Sequence, residues 1–369
     1  MDINLMPKLK IGKYIPEFPI IQGGMGVMTS GPKLAGAVAA AGGIGTIASV
    51  GLASYSPDYN GTGRSFVEEN RKMIKKCVEE ARKLAKGGVL AMNCMCALTD
   101  YAEQVKASCE AGIDMIISGA GLPLKLPELT ADFKEIALVP IVSSTKAAKL
   151  IMNRWEKNYK RLPDAFVVET PNSAGGHLGA KDFETAEDEN LSLEIVVPEL
   201  VASLREEGLN IPVIAAGGIW DSTDMLEVFD MGATGVQMGT KFVATVEGDA
   251  SERFKQAYVD AKEEDVVLIQ SPCGLPGRAL KNPFVERYLA GTLSKMRCKV
   301  GCLAHCACKM KSETFCIADA LINAYKGDWD NGLFFCGKNV SKVKSIQPVK
   351  EIIEQLAEEC NEIYNSRRV

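Results

Sequence analysis

Short apolar segments alternate with longer amphipathic segments over about the first 240 residues of the chain. Eight of the apolar segments carry apolar residues at consecutive positions, so both faces of each strand would be apolar. Parallel β-strands covered by helices show this pattern. The predicted strands are residues 18–22, 43–49, 88–95, 114–119, 137–144, 164–170, 211–218 and 234–240.

The amphipathic segments between these strands predict helices. Residues 65–85 place Phe66, Met73, Cys77 and Leu84 along one side and charged residues on the rest, which is the pattern of a surface helix. Helices are also predicted within residues 99–112, within 196–212, and within 221–233, where Asp221 or Ser222 is available as the N-cap.

Eight strand–helix units over about 240 residues predict a (β/α)₈ barrel. A doubly wound open sheet gives the same alternation, so it is the competing architecture. The alternation ends after Phe242. We therefore divide the chain into a barrel at residues 1–245 and a helical or irregular appendage at residues 246–369, which is a candidate lid. Residues 349–368 predict an amphipathic terminal helix that packs on the barrel or on a partner subunit, and a homodimer is one candidate assembly.

Composition narrows the classes of function. The chain has 369 residues, is 47% hydrophobic and carries a net charge of −5, which argues against nucleic acid or an anionic membrane as the main partner. The N-terminal residues lack the apolar core of a signal peptide, and no apolar stretch is long enough to span a membrane, so we expect a cytoplasmic protein. In that compartment the twelve cysteines predict reduced thiols or metal ligands rather than disulfides.

In such barrels the active site lies at the C-terminal ends of the strands, so the residues that follow each strand are the candidate site. Glycine and small polar residues dominate these positions, which suits backbone amides that contact a flat or phosphorylated ligand. Glu169 also falls here, and we expect it to point into the barrel as a satisfied polar residue. The candidate contacts are Gln22, Gly23, Gly24, Met25, Gly26, Asn93, Ser118, Gly175, Gly176, Gly217, Gly218, Gly239 and Thr240.

The last two turns of the predicted barrel favour a phosphate site. Gly217 and Gly218 follow the seventh strand, and Gly239 and Thr240 follow the eighth. Barrels commonly hold a phosphate on the backbone amides of these two loops. The alternative is that the paired glycines only make a tight turn between strand and helix.

His177 is one of only two histidines and follows Gly175 and Gly176 in the loop after the sixth predicted strand. A side chain that titrates near neutral pH at this position suits acid–base catalysis. The alternative is a hydrogen-bonded structural histidine. Residues 271–284, which include Arg278 and Lys281, are either a lid that contacts a phosphate or a thioester carrier, or a solvated loop.

Three segments resemble nitronate monooxygenases, long called 2-nitropropane dioxygenases, and equally the flavin-dependent enoyl-ACP reductases of the same superfamily. They are "PIIQGGMGVMTSGPKLAGAVAAAGGIGTIAS" from Pro19, "AGGHLG" from Ala174, and "IPVIAAGGI" with "GATGVQMGTKF" from Ile211. Residues 322–340 resemble the C-terminal helix–glycine segment of that family.

This resemblance implies an FMN-binding barrel. It implies that the flavin ring lies against the glycine-rich backbone after Gln22, and that Asn93 lines the flavin pocket. The glycine turns at 217–218 and 239–240 would hold the FMN phosphate. His177 corresponds to the active-site histidine of the family.

The resemblance implies two activities, and a non-catalytic role is kept beside them as a hypothesis of another class. The first activity is oxidation of alkyl nitronates, with dioxygen as the final electron acceptor. The second is reduction of an enoyl thioester with NAD(P)H as the electron donor. No GxGxxG turn is present, so a nicotinamide cofactor would bind transiently on the same face. The third hypothesis is a flavin or metal protein that serves only as a redox partner.

A cysteine-rich segment at residues 298–316 departs from a simple barrel. Cys298, Cys302, Cys306 and Cys316 provide four thiolates, enough for a tetrahedral zinc ion or an iron–sulfur cluster. Cys308 or His305 can replace one of them. The spacing does not match the paired C-x2-C of zinc ribbons, and free structural thiols are the alternative.

Overall fold

A computed structural model describes residues 6–294, 298, 300–310 and 314–367. Its strands are β1 (Ile20–Gln22), β2 (Ile44–Ala48), β3 (Val89–Met95), β4 (Met115–Gly119), β5 (Ala137–Val142), β6 (Phe166–Glu169), β7 (Gly176–His177), β8 (Val213–Ala216), β9 (Gly235–Met238), β10 (Val266–Gln270) and β11 (Pro276–Leu280).

Helices alternate with these strands along the barrel and dominate the C-terminal part. They are α1 (Pro32–Ala40), α2 (Gly63–Leu84), α3 (Tyr101–Glu110), α4 (Leu126–Leu129), α5 (Thr145–Tyr159), α6 (Phe183–Ala186), α7 (Leu193–Glu206), α8 (Ser222–Asp230), α9 (Thr240–Val243), α10 (Glu252–Val259), α11 (Pro283–Leu289), α12 (Ala307–Met310), α13 (Ile317–Tyr325) and α14 (Val349–Ser366). Short 3₁₀ helices cover Leu52–Tyr55, Glu189–Leu191, Glu263–Asp265 and Val340–Lys342.

Polar side chains fix where the helices begin. The Thr62 hydroxyl accepts a hydrogen bond from the backbone N–H of Ser65 at the start of α2. At the start of α8 the N-cap is Asp221, and Asp224 accepts in return from the backbone N–H of Asp221, which completes a capping box. These contacts satisfy N–H groups that have no partner inside the helix.

Eight strands close into a barrel in the order β1-β2-β3-β4-β5-β6-β8-β9. All neighbours are parallel, and β9 returns to pair with β1, with Ile21 opposite Gln237. This closure confirms the (β/α)₈ barrel and rules out the open sheet. All eight predicted strands are present, each within a few residues of its expected limits.

Two apolar cores hold the barrel. The larger core lies between the strands and the surrounding helices, and Leu34, Ile74 and Phe166 are fully buried in it. The smaller one fills the barrel interior and includes Ile44 and Ile117. Removal of this apolar surface from water provides the main driving force for the fold.

The appendage differs from its prediction because it contains strands as well as helices. β10 and β11 form an antiparallel hairpin, and β11 also pairs with β7 from the barrel loop. The segment at 271–284 is therefore mostly a hairpin turn and a strand instead of a loose loop. α14 packs against α1 and α8, as expected for a terminal helix that covers the barrel. None of the helices in the described ranges is long and apolar enough to cross a bilayer.

Candidate active site

The strand register brings polar side chains to the top of the barrel interior. Glu169 lies opposite Ala216, Ala216 lies opposite Gln237, and Gln237 lies opposite Ile21. Laterally paired residues in a parallel sheet project to the same face. Because Ile21 and Ala216 belong to the interior core, Glu169 and Gln237 also project into the barrel. The expected direction of Glu169 agrees with this register.

The same argument places two more polar side chains in the barrel interior. Thr46 lies opposite Ala91, and Asn93 lies opposite Ile117. Both partners belong to the interior core, so Thr46 and Asn93 point inward as well. Four polar side chains therefore project into the barrel interior among apolar neighbours.

Several polar atoms near this end of the barrel lack a partner. The buried atoms Thr46 Oγ1, Thr170 Oγ1 and Gln237 Oε1 make no hydrogen bond in the described part of the protein. Among the same residues, the Glu169 carboxyl forms neither a hydrogen bond nor an ion pair, contrary to the expectation that it is satisfied. Burial raises the pKa of its carboxyl to about 7. Buried polar groups are nearly always hydrogen-bonded, so unpaired ones here indicate a ligand.

The glycine-rich turn after β1 has a packing role that its sequence did not reveal. A Cβ atom on Gly24 would lie 2.5 Å from Cβ of Asn93, and one on Gly26 would lie 2.2 Å from Cγ1 of Val50. These two glycines are therefore required by close packing of the chain itself. Gly23 donates its N–H to the Met238 carbonyl at 2.8 Å, which ties the turn to β9.

Gln22 and Ser118 are both buried and already hydrogen-bonded. Gln22 Oε1 accepts from the Thr46 N–H at 3.1 Å, and its Nε2 donates to the Gly23 carbonyl. Ser118 Oγ donates to the Cys94 carbonyl at 2.9 Å and lies 2.8 Å from Tyr101 Oη. Contact of either side chain with a cofactor stays a prediction, while their observed role is to hold strands and helices in place.

Four segments converge at the predicted phosphate site, namely residues 175, 217–218, 239–240 and 337–339. Gly217 and Gly218 have φ angles of +95° and +77°, which favour glycine. The Gly218 carbonyl accepts from Asn339 Nδ2 at 2.5 Å, and Thr240 Oγ1 accepts from the Gly337 N–H at 3.0 Å.

The other two glycines of this region leave different amounts of space. A Cβ on Gly175 would lie 2.7 Å from the Gly337 nitrogen, so the loop before His177 packs closely on residues 337–339. Gly239 is different, because a Cβ added there would meet nothing closer than Met25, at 3.9 Å. Gly239 therefore borders open space between tightly packed neighbours.

His177 lies on β7 opposite Gly277 of the hairpin. Its Nε2 is 2.7 Å from Ser271 Oγ and 3.1 Å from Cys273 Sγ, and its ring meets the Phe335 ring edge-on with centroids 5.0 Å apart. Burial lowers the pKa of the imidazole to about 4, so the side chain is neutral near pH 7. Its pairing with β11 places it beside the appendage.

Sequence reasoning missed the residues that hold His177. Ser271 and Cys273 lie in the turn between β10 and β11, about a hundred residues away in the chain, and neither was singled out. One interpretation of residues 271–284 makes Arg278 a contact for a phosphate. Its guanidinium instead donates to the carbonyls of Ala174 and, at 3.1 Å, Asn172, so it fixes the loop that leads to His177. Only the turn-rich "SPCGLPG" hinted at this hairpin.

The cysteine-rich segment packs on the barrel loop after β3. Thr99 donates its N–H to the Cys302 carbonyl at 3.0 Å, and Leu98 pairs with Leu303. Burial, with smaller contributions from Cys316 and Cys298, raises the pKa of the Cys302 thiol to about 12. Across the residues that the structure describes, no group of three or more His, Cys, Asp or Glu side chains is arranged to hold a metal ion. Ligation by Cys298, Cys302, Cys306 and Cys316 stays a prediction.

A family model and several curated relatives match most of this sequence. A sequence model described as nitronate monooxygenase matches residues 8–359. A probable nitronate monooxygenase from Staphylococcus saprophyticus is 30% identical over 289 residues, which are 73% of this chain and 78% of the relative. One from Staphylococcus aureus is 31% identical over 291 residues, or 73% and 77% of the two chains.

Solved structures share the fold over nearly the whole chain. FabK from Thermotoga maritima superposes with a TM-score of 0.73 and 28% identity and covers 96% of each chain. A nitroalkane oxidase from Streptomyces ansochromogenes has a TM-score of 0.70 at 20% identity and covers 95% of this chain and 98% of its own. The second likeness supports the fold alone.

Proposed function

Since the chain belongs to the nitronate monooxygenase family, we propose that it is an FMN-dependent oxidoreductase that oxidises alkyl nitronates. A base at His177 would extend its substrates to the parent nitroalkanes. The observation that carries this proposal is a set of inward-facing polar side chains with unpaired atoms in the barrel, at whose C-terminal end the connection after β6 carries His177. The polar floor is defined as Thr46, Asn93, Glu169 and Gln237.

The residues present fit FMN. The polar floor offers unpaired oxygen atoms and an asparagine amide to the polar edge of a flavin ring. Gly239 leaves space beside Gly217, Gly218 and Thr240, where backbone groups can surround a phosphate. When bound, FMN supplies the acceptor for the two electrons that leave the substrate.

His177 has two roles in this reaction. Its neutral imidazole can remove the proton from the α-carbon of a nitroalkane, or donate a hydrogen bond to the nitro group of a nitronate. An imidazole with a pKa of about 4 is protonated in only a small fraction of molecules at neutral pH. The neutral ring has one nitrogen that can accept a proton and one N–H that can donate a hydrogen bond.

A flavin-reduction assay tests the proposal. Protein purified without oxygen is mixed in turn with ethylnitronate, NADH and NADPH, and the visible absorbance of the oxidised flavin is followed. We expect ethylnitronate to bleach the flavin and dioxygen to restore its colour. Protein that contains flavin but does not respond to nitronate would contradict the proposal.

The second candidate is an NAD(P)H-dependent reductase of enoyl thioesters. It is favoured by the likeness to FabK, which covers 96% of each chain. In the same assay this activity would bleach the flavin with a nicotinamide and restore its colour with crotonyl-CoA. If none of these compounds changes the flavin, the remaining hypothesis is a redox partner without turnover of its own.

The cysteine-rich segment carries a separate proposal, a zinc ion or an iron–sulfur cluster on Cys298, Cys302, Cys306 and Cys316. Its support is the presence of four thiols within nineteen residues. Metal analysis of protein purified without oxygen tests it. Stoichiometric zinc would support a structural site, and iron with sulfide would support a cluster. The absence of all three would leave free thiols.

A further inference from the structure

The neutral state of His177 raises the question of where a proton goes after the imidazole accepts it. The side chain is half-buried, and the hydrophobic Phe335 ring packs against it. A charged imidazolium is disfavoured in such surroundings. A base in this position therefore needs a route that passes the proton onward.

The contacts of the imidazole define such a route. Nε2 is the nitrogen that meets Ser271 Oγ and Cys273 Sγ, at 2.7 and 3.1 Å. The two side chains also meet each other, with Ser271 Oγ 3.2 Å from Cys273 Sγ. Nδ1 makes no hydrogen bond with any described residue, so it is the nitrogen left for a substrate.

Two backbone hydrogen bonds hold the turn that carries these residues. Ser271 donates its N–H to the Leu275 carbonyl at 3.0 Å, and Gly274 donates its N–H to the Ser271 carbonyl at 2.9 Å. Gly274 has a φ angle of +86°, which favours glycine at this tight turn. Ser271 is buried, whereas Cys273 is half-buried. Of the two side chains that meet Nε2, Cys273 is therefore the one with exposed surface.

The groups around His177 favour neutral partners. Burial raises the pKa of the Cys273 thiol, so the thiol is protonated near pH 7. From β11, Arg278 directs its guanidinium to the carbonyls of Asn172 and Ala174. Phe335 adds no charge. Thiol, hydroxyl and imidazole therefore form a chain of neutral hydrogen bonds in which each member both donates and accepts.

We propose that Ser271 and Cys273 form a proton relay that connects Nε2 of His177 to solvent while Nδ1 accepts a proton from the substrate. In the resting tautomer the proton sits on Nε2, and Nδ1 carries the free lone pair. The relay deepens the proposed function and rests on it. Both residues act through His177, so they are positioning residues.

The step leaves a negative charge on the nitronate and passes one proton to solvent, and the imidazole is neutral before and after it. The α-C–H bond of the nitroalkane breaks, its electron pair stays on the substrate as the nitronate, and an N–H bond forms at Nδ1. At the same time the Nε2 proton moves to Ser271 Oγ, the hydroxyl proton moves to Cys273 Sγ, and the thiol proton leaves to water. The imidazole ends neutral, in the opposite tautomer.

Two substrates separate this relay from a general effect on the site. Nitroethane must lose a proton, whereas ethylnitronate has already lost it. In Ser271→Ala and Cys273→Val we expect flavin bleaching by nitroethane to slow by roughly 100-fold, the range of general acid–base catalysis. We expect bleaching by ethylnitronate to change by less than about threefold, because that substrate needs no relay.

Conservative variants provide the matched controls. Ser271→Thr and Cys273→Ser keep a group that donates and accepts, so both should retain nitroethane oxidation within about threefold. Flavin content per chain confirms that each variant is folded. Equal slowing with both substrates, or equal loss in Cys273→Ser and Cys273→Val, would overturn the relay.

A second measurement does not depend on turnover. The chain has only two histidines, so in His305→Gln the ¹⁵N signals of the imidazole report on His177 alone. Replacing Ser271 with Ala in that background should change the Nε2 shift and the ratio of the tautomers. Unchanged signals would overturn the relay. If the wild type oxidises neither substrate, the proposed function fails, while the ¹⁵N signals still show whether Ser271 holds Nε2.

Discussion

The two ends of the barrel differ in whether certain buried polar side chains have hydrogen-bond partners in the protein. At the N-terminal end, Asp114 precedes β4, and its carboxylate accepts from the Leu90 N–H at 2.8 Å and from Arg82 at 2.9 Å. Asp164 precedes β6 and accepts from the Leu138 N–H at 2.7 Å and from Arg161 at 2.5 Å. Each of these carboxylates ties a neighbouring strand to an arginine.

At the C-terminal end, Thr46, Thr170, Glu169 and Gln237 have groups without a partner among the described residues. We therefore associate the N-terminal end with stability and the C-terminal end with ligand binding. The two carboxylates at one end are satisfied by the protein itself, whereas these four groups at the other end have no protein partner and suit a ligand. Changes at the two ends should therefore affect different measurements.

The largest effect is expected for His177→Ala. Loss of the group that exchanges protons with the substrate should lower turnover by about 10²–10⁴-fold. The melting temperature and the FMN content should change little. His305→Ala, at an exposed site, is the matched control and should keep full turnover. Undiminished turnover in His177→Ala would end its assignment as a catalytic residue.

The next effect is expected for Gly239→Ala. The new methyl group meets no atom closer than 3.9 Å in the protein, so the fold should tolerate it. If FMN occupies the open space, the methyl group should weaken FMN binding by roughly tenfold, or about 1.4 kcal/mol. Fluorescence titration of the apoprotein with FMN measures this, with melting of the apoprotein as the control. Unchanged affinity would show that the cofactor lies elsewhere.

At the opposite end, Asp164→Ala should affect stability alone. The Leu138 N–H would lose its acceptor and Arg161 its partner, which should lower the free energy of unfolding by about 2 kcal/mol. Urea unfolding measures the change. FMN affinity and turnover of the folded variant should stay at wild-type values. A loss of FMN affinity as large as that of Gly239→Ala would contradict the separation of the two ends.

The smallest effect concerns pH and Glu169. Its pKa is raised by burial from 4.5 to about 7, so the folded protein holds this proton more tightly than the unfolded chain. The raised pKa contributes fully to the free energy of unfolding below about pH 4.5. This contribution decreases as the pH rises toward 7 and stays lost at higher pH. Glu169→Gln stays neutral and should avoid that loss.

The comparison of Glu169→Gln with the wild type isolates this carboxyl from other titrating groups. The variant should gain about 1 kcal/mol over the wild type between pH 5 and pH 8, less than a full shift implies because the side chain keeps some contact with solvent. Melting curves of the apoproteins across that range measure the gain. A constant difference between the two proteins would contradict a raised pKa.

The barrel was predictable from the sequence because its signals are local. Runs such as residues 114–119 are apolar on both faces, and Asp221 stands where a helix needs an N-cap. The convergence of Gly217, Gly218 and Thr240 also followed from strand order alone, since the ends of parallel strands meet at one face.

The parts that could not be predicted depend on distant pairing. β7 has only two residues, and its partner β11 lies about a hundred residues later, so no local period marks either as part of a shared sheet. The packing of Gly24 on Asn93 is likewise invisible without the barrel register. The hydrogen bonds of Ser271 and Cys273 to His177 could not be predicted because the hairpin that carries them was not.

The position of His177 on β7 has a consequence for how this protein can diversify. β7 is part of the barrel loop in sequence, but its strand partner belongs to the hairpin of the appendage. The eight barrel strands and the turn that contacts the imidazole can therefore vary separately. Substitutions at residues 271–275 can retune the chemistry of one histidine while the eight barrel strands stay unchanged, so a single framework can acquire new reactivity through a five-residue module.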